Sequence, residues 1–277
     1  MRKNLLVVLL LSFLLLLVGC GKSGNGLRTD GVLVVGMECD YQPFNWTETE
    51  KTDDNVEISN ISGAYANGYD VMIAKRIAEA LNLKLEIKAL SWEGLIPALN
   101  AKEIDLIIAG MSPTAERKET IDFTDSYYTS THVLLLKSDS RFKNATTLSG
   151  FSGATVIGQI GTIYADLVPQ MVEKGAVAGT NLDTVPQIVN AILRGTVDAT
   201  ILEEPVAVGI VTQYGNELTY IVPTDGFDVS LEDVVVSIGI RQNFDLKEDI
   251  NRVLLGISED IRKELMLDAI AKAPSGE

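Results

Sequence analysis

Histidine and cysteine are scarce in this chain, at one and two residues in 277. That leaves little for metal or nucleophile chemistry. No zinc-type Cys/His spacing, P-loop or Ser-His-Asp set can be drawn from the sequence, so no metal, cofactor or catalytic residue is expected. A disulfide-stapled scaffold is excluded for the same reason. The single histidine, His132, reads as a hinge or surface residue. Positive charge is also short: 23 Lys and Arg stand against 38 Asp and Glu, a formal charge of −15. A basic footprint is what nucleic acid requires, and it is missing. The negative excess favours solubility. The apolar run from Leu5 to Val18 is short for a spanning helix. What the chain does have is 46% apolar residues and a length that suits two modest domains or one large one.

The run from Leu5 to Val18 follows Arg2 and Lys3 and fits the apolar region of a signal peptide. A single anchor helix is the alternative. Leu17-Val18-Gly19-Cys20 resembles a bacterial lipobox, which implies cleavage before Cys20 and lipid on its thiol. Residues 1–19 are then a signal peptide, and 20–30 a flexible tether bearing Gly and Ser. The mature protein is expected outside the cytoplasm, lipid-anchored to the bacterial cell membrane. Cys39 is left without an intrachain partner.

Chemistry concentrates between Ile104 and Tyr128. The stretch starts as a buried strand, Leu106 to Ala109, an apolar run without alternation. Gly110 lets the backbone turn. Ser112, Pro113 and Thr114 read as a helix start, with Glu116 close behind. Arg117 follows five residues after Ser112. A strand end, helix-start N–H groups and a guanidinium fork thus meet in one place, which suits a carboxylate. A surface Arg paired with Glu116 or Glu119 is the plain alternative.

The remaining chain alternates between strands and helices. Val32 to Gly36 is a buried strand, and Pro43 turns the chain between Tyr41 and Phe44. Phe44 reads as core. Residues 47–63 are polar and read as an extended loop. Apolar residues at 71, 74, 77, 78 and 81 mark a helix, and Leu83 to Ala89 a strand. Trp92 begins another helix and reads equally as pocket or core. Further strands are expected over Val133–Leu136, Ala154–Ile157, Val197–Leu202 and Val234–Ile240. Helices are expected from Ile163, over Pro186–Arg194, and over Leu246–Ile257 and Ser258–Lys272. This alternation predicts α/β lobes with mainly parallel sheets.

Several motifs occur in a telling order. Glu38, Tyr41, Pro43 and Phe44 form the loop after the first strand. Trp92-Glu93-Gly94-Leu95-Ile96-Pro97-Ala98-Leu99 comes next, then AGMSPTAERKETIDFTDSYY over residues 109–128. Gly161-Thr162 precedes a helix, and Val197-Asp198-Ala199 leads to Glu203. Together they resemble the amino-acid-binding proteins of ABC importers, a type II periplasmic-binding-protein family. The resemblance implies two α/β lobes with a central ligand cleft. Lobe 1 is expected over 31–131 plus 234–277, and lobe 2 over 132–233. It implies a monomer that passes an amino acid to an ABC importer permease, and no enzyme activity.

Roles carry over position by position. Arg117, with the N–H groups of Ser112, Thr162 and Ile163, would take the ligand carboxylate. Glu203, the Gly110 carbonyl and the Ser112 hydroxyl would take the ammonium. Tyr41 and Trp92 would hold the side chain, with Glu38 and Gln159 at its far end. Glu38 suggests a basic amino acid, arginine ahead of lysine and histidine; glutamine or another polar amino acid is the alternative. The family commonly has Asp where Glu203 stands, and often Gln where Tyr164 stands. A few proteins of this fold are dehydratases acting on cyclohexadienyl acids, so a buried Glu203 keeps an acid catalyst conceivable. A sensor-kinase ectodomain would need a following transmembrane segment and is not expected.

Overall fold

The computed structural model describes residues 26–274; the leader and Cys20 lie outside the described residues. In chain order, β1 is Val32–Met37, β2 Asp40–Tyr41, β3 Asn45–Glu48, β4 Val56–Glu57 and β5 Tyr65–Asn67. Helix α1 (Tyr69–Ala80), β6 (Lys84–Ala89), α2 (Trp92–Asn100), β7 (Leu106–Ile107) and α3 (Ala115–Lys118) follow. Then come β8 (Asp122–Thr129), β9 (His132–Lys137), β10 (Thr155–Ile157), α4 (Ile163–Glu173), β11 (Val177–Ala178) and α5 (Val185–Leu193). The chain ends with β12 (Ala199–Glu203), α6 (Glu204–Tyr214), β13 (Leu218–Ile221), β14 (Val235–Ile240), α7 (Lys247–Leu255) and α8 (Glu259–Lys272).

Two five-stranded sheets form the cores of two lobes. One has the order β6-β1-β7-β14-β8, the other β11-β10-β12-β9-β13. In each, the first three strands run parallel to one another and the strand at the fourth place runs against both its neighbours. The mainly parallel expectation therefore needs one antiparallel strand per sheet. That strand is the one that follows a crossing between lobes: β14 re-enters lobe 1 and β9 enters lobe 2. The crossings are residues 130–131 and 222–234, and they touch: the Ser130 N–H donates to the Val234 carbonyl at 2.9 Å.

Helices cover both faces of each sheet, so strands need not alternate. In β9, Val133 and Leu135 belong to the large core that continues into lobe 1, while Leu134 and Leu136 face a second core with Phe142, Phe151 and Met171. Helix α1 buries Ile73, Ala74, Ile77 and Ala78, the 3.6-residue stripe read from sequence. Its start is fixed by Gly68 at φ 125°, where a Cβ would lie 2.4 Å from the Phe44 carbonyl oxygen.

Several expectations change. Residues 47–63 are not simply a loop: they contribute to a small antiparallel sheet, β2-β3-β5-β4. Side chains knit it, for Glu48 accepts from Trp46 Nε1, Asn55 Nδ2 and Asn67 Nδ2. The strand expected over 106–109 pairs only at Leu106 and Ile107, because the chain turns at Gly110 (φ 62°). The cap of α3 is Thr114, whose hydroxyl accepts the Arg117 N–H at 3.3 Å, rather than Ser112. His132 is not a surface residue: it is buried at the start of β9, edge-on to Tyr164 and Phe227.

Candidate functional site

Every strand that feeds the cleft delivers its residues from its carboxyl end, the position at which open α/β sheets place their sites. From lobe 1, β1 leads to Glu38 and Tyr41, β6 to Trp92, and β7 to Gly110, Ser112 and Arg117. From lobe 2, β10 leads to Gln159, Thr162 and Ile163, and β12 ends on Glu203. All ten line one cavity, together with Tyr164. Tyr164 was noted in sequence only as a departure, yet its ring is part of the wall.

The local chemistry of lobe 2 follows from two glycines. A Cβ on Gly158 would fall 2.4 Å from the Ala165 nitrogen, so the turn after β10 can press against the first turn of α4. Gly161 at φ 70° then swings the chain into that helix. Thr162 is the residue before α4, but its hydroxyl donates to the Gln159 carbonyl at 2.8 Å rather than capping. Its N–H also points at that carbonyl, at 3.3 Å. Ile163 and Tyr164 are the first residues of the helix, whose N-terminal end carries partial positive charge.

Hydrogen bonds join the two walls. Trp92 Nε1 donates to the Gly161 carbonyl at 2.7 Å, and Arg117 Nη2 to the same oxygen at 3.3 Å. Gln159 Nε2 donates to Glu38 Oε1 at 2.8 Å. Arg117 is further placed by Nη1 on the Ser112 carbonyl at 2.9 Å and by the Trp92 ring, 5.0 Å from its Cζ. The guanidinium therefore faces the cavity between helix starts instead of pairing with Glu116 or Glu119. Burial holds its pKa below the ordinary arginine value. Trp92, open between pocket and core from sequence, is half-buried and on the cavity wall.

Electrostatics set the two ends of the cavity apart. At one end Glu203 is 3% exposed. Its Oε1 accepts the Tyr164 hydroxyl at 2.5 Å, and its Oε2 has no partner. The Tyr41 hydroxyl, also buried, lies beside the Tyr164 hydroxyl and the Glu203 carboxyl but makes no well-aligned hydrogen bond to either. Burial pushes the Glu203 carboxyl up to about 8, against the pull of the Tyr164 hydrogen bond. At the other end Glu38 also rises to about 8, chiefly through burial and then through Asp40, with the Gln159 amide opposing. Burial thus disfavours the charged form of each carboxyl, and a cation beside either one would favour it. Among the described residues no group of three or more His, Cys, Asp and Glu is placed to hold a metal. No described helix is long and apolar enough to cross a membrane.

The family model described as bacterial extracellular solute-binding proteins, family 3, matches residues 33–267. The arginine-binding extracellular protein ArtP of Bacillus subtilis is 29% identical over 255 residues, 92% of this chain and 92% of its own. Among solved structures, the amino acid ABC transporter substrate-binding protein AbpA of Streptococcus pneumoniae, bound to L-arginine, superposes with a TM-score of 0.73 at 25% identity. That match covers 88% of this chain and 97% of the other. An ancestral arginine-binding protein bound to glutamine superposes at 0.69, again at 25% identity, over 87% and 98%.

Proposed function

Because this chain belongs to family 3 of the bacterial extracellular solute-binding proteins, we propose that it captures an amino acid, arginine first, in the cleft between its lobes and hands it to an ABC importer. One observation carries the reading: a guanidinium and a buried carboxyl line one cavity from opposite lobes, Arg117 from lobe 1 and Glu203 from lobe 2. An amino acid presents a carboxylate and an ammonium on one carbon. Arg117, the Ser112 amide and the α4 start at Ile163 take the carboxylate. Thr162 joins them if its amide leaves the Gln159 carbonyl. Glu203 Oε2, the Gly110 carbonyl and the Ser112 hydroxyl take the ammonium. A ligand that bridges the walls favours the closed arrangement by its differential contacts.

The side chain lies along Tyr41 and Trp92 toward Glu38 and Gln159. A guanidinium matches that end best, since it offers a fork to Glu38 and a plane to the rings. An arginine-binding relative and an arginine-bound structural neighbour are in keeping with it. Glutamine is the second reading. A Glu38 that keeps its proton, bonded to the Gln159 amide, forms an uncharged polar end, and a related ancestral protein holds glutamine. The protein binds without turnover in this account.

The lobes divide at 131/132 and 233/234, the two crossings. Attachment to the membrane runs through lipid on Cys20, outside the described residues. Cys20→Ser is expected to move the protein from the membrane fraction to the soluble fraction, or to leave it unprocessed; unchanged retention would refute the anchor. A thermal-shift screen of the twenty amino acids tests the ligand, because a ligand of the folded state raises apparent stability. The largest shift is expected with arginine. A larger shift with glutamine would replace the first reading by the second, and no shift with any amino acid would overturn both.

A further inference from the structure

Two residues at the edge of the cavity hold a left-handed backbone, Gly110 and Cys39, each at φ 62°. For Gly110 no side chain would fit comfortably, since a Cβ would come within 3.0 Å of the Tyr41 ring. Cys39 is a residue that rarely takes this conformation, and such positions persist only where the surroundings enforce them. It sits between Glu38 and Asp40, so its turn determines where the Glu38 side chain is aimed. The two residues are 71 positions apart in the chain, yet they are wired to one carboxylate.

That carboxylate is Asp70, in the first turn of α1, fully buried and outside the cavity lining. On one side, the Tyr127 hydroxyl accepts the Gly110 N–H at 3.2 Å and donates to Asp70 Oδ1 at 2.7 Å. On the other, Asn45 Nδ2 donates to Asp70 Oδ2 at 2.8 Å, and Asn45 Oδ1 accepts the Cys39 N–H at 2.7 Å. Asn45 and Tyr127 are fully buried as well. The Asp70 backbone is itself anchored, its N–H on the Phe44 carbonyl at 2.8 Å. Each carboxylate oxygen thus serves one edge of the pocket, and every group on the path is a rigid donor or acceptor.

We propose that Asp70 is the positioning residue of the ligand pocket: through Tyr127 it fixes the Gly110 end, and through Asn45 it fixes the Glu38–Tyr41 end. This deepens the amino-acid reading of the same cavity and rests on it. The two arms act on different parts of the ligand. The Tyr127 arm sets the carbonyl that meets the ammonium common to all amino acids. The Asn45 arm sets the carboxyl that meets the side-chain end.

The test separates the arms by chemistry. Tyr127→Phe, Asn45→Ala and Asp70→Asn are titrated calorimetrically with L-arginine and with L-citrulline, its uncharged isostere, well below each variant's melting temperature. Tyr127→Phe is expected to weaken both ligands by one common factor of about ten, the scale of one buried hydrogen bond. Asn45→Ala is expected to weaken arginine more than citrulline, and Asp70→Asn to show both effects. Amide hydrogen exchange gives a readout that needs no ligand: exchange at Gly110 should quicken in Tyr127→Phe alone, at Cys39 in Asn45→Ala alone, and at both in Asp70→Asn. Variants that melt earlier yet keep the wild-type affinities and the wild-type arginine-to-citrulline ratio would reduce Asp70 to a structural residue. If the wild-type protein binds neither ligand, the ligand reading falls, and the exchange pattern alone decides the wiring; unchanged exchange at both amides would overturn it.

Discussion

Tyr164 and Glu203 are joined by a 2.5 Å hydrogen bond that fixes one carboxyl oxygen and leaves the other, buried beside it, without a partner. The two residues come from α4 and β12, so the bond also ties the helix start to the strand end. Glutamate is longer by one methylene than the aspartate common in the family, a reach of roughly 1.3–1.5 Å. The Tyr164 phenol holds that longer arm in a single direction.

Binding is expected to strengthen with pH from 6 to 8. The ammonium site needs ionised Glu203, and the carboxyl is raised to about 8 in the protein, so complex formation expels its proton. The expected change is up to about tenfold in affinity per pH unit, since one pKa unit corresponds to about 1.4 kcal/mol. Calorimetry in buffers of different ionisation enthalpy counts the protons released. In Glu203→Gln the share of that release due to Glu203 should vanish, leaving only what Glu38 gives up to a cationic side chain, with about 2–5 kcal/mol of binding lost. Normal affinity in the variant would remove Glu203 from the site.

Folding stability should move the opposite way. Glu38 and Glu203 are raised from 4.5 to about 8, and Asp70 from 3.8 to about 7. Between those values the folded state binds more protons than the unfolded one, so these groups lower stability as pH rises from about 5 to 8. The melting temperature of ligand-free protein should therefore decline across that range. Glu203→Gln should flatten the decline, and an unchanged slope would contradict the assignment.

Arg117→Ala should weaken arginine binding by at least about 3 kcal/mol, because a buried carboxylate loses its partner. Arg117→Lys should recover only part of the loss, since an ammonium cannot make the two-pronged contact. Near wild-type affinity in folded Arg117→Ala would sink the carboxylate site.

Competition between arginine and glutamine checks Glu38. Glu38→Gln should shift the preference toward glutamine by removing the partner of the guanidinium. If wild-type protein already prefers glutamine and the variant keeps that preference, Glu38 does not select the side chain.

Trp92→Phe keeps a ring against Arg117 but removes the indole N–H that reaches Gly161 across the cleft at 2.7 Å. Ligand dissociation should accelerate several-fold, about one hydrogen bond's worth, while association changes little. Stopped-flow traces showing a slower association and an unchanged dissociation would count against this contact as a tie between the walls.

Much of the architecture was legible because the cores impose simple periods. The α1 stripe and the unbroken apolar strands β1 and β9 declare burial on one face or two. Elements held by other means were silent. The small sheet is built of strands of two to four residues stitched by Asn and Glu side chains, so no apolar rhythm marks it. Helix α6 is apolar nearly all round because it lies between β9, β13 and α8, and Gly209 further hides it by meeting Pro43. Strand β8 is polar on its face and escaped notice beside Arg117. In the site, the order of motifs marked ten positions that line one cavity. Tyr164 was the omission, since a tyrosine in the first turn of a helix reads as core unless its hydroxyl partner, 39 residues on, is known. The Asp70 wiring was equally hidden, because hydrogen bonds between distant residues leave no periodicity.

The contact between Ser130 and Val234 has a mechanical consequence. Two chain crossings bonded side by side form a narrow ribbon, not two independent threads. The bond keeps the crossings from sliding past each other at that point. A swing of the lobes that keeps this bond would turn about the paired crossings, and Arg117 and Glu203 would meet again in the register seen here. The geometry of the cleft would in that sense be kept at its spine, on a bond outside the cavity lining.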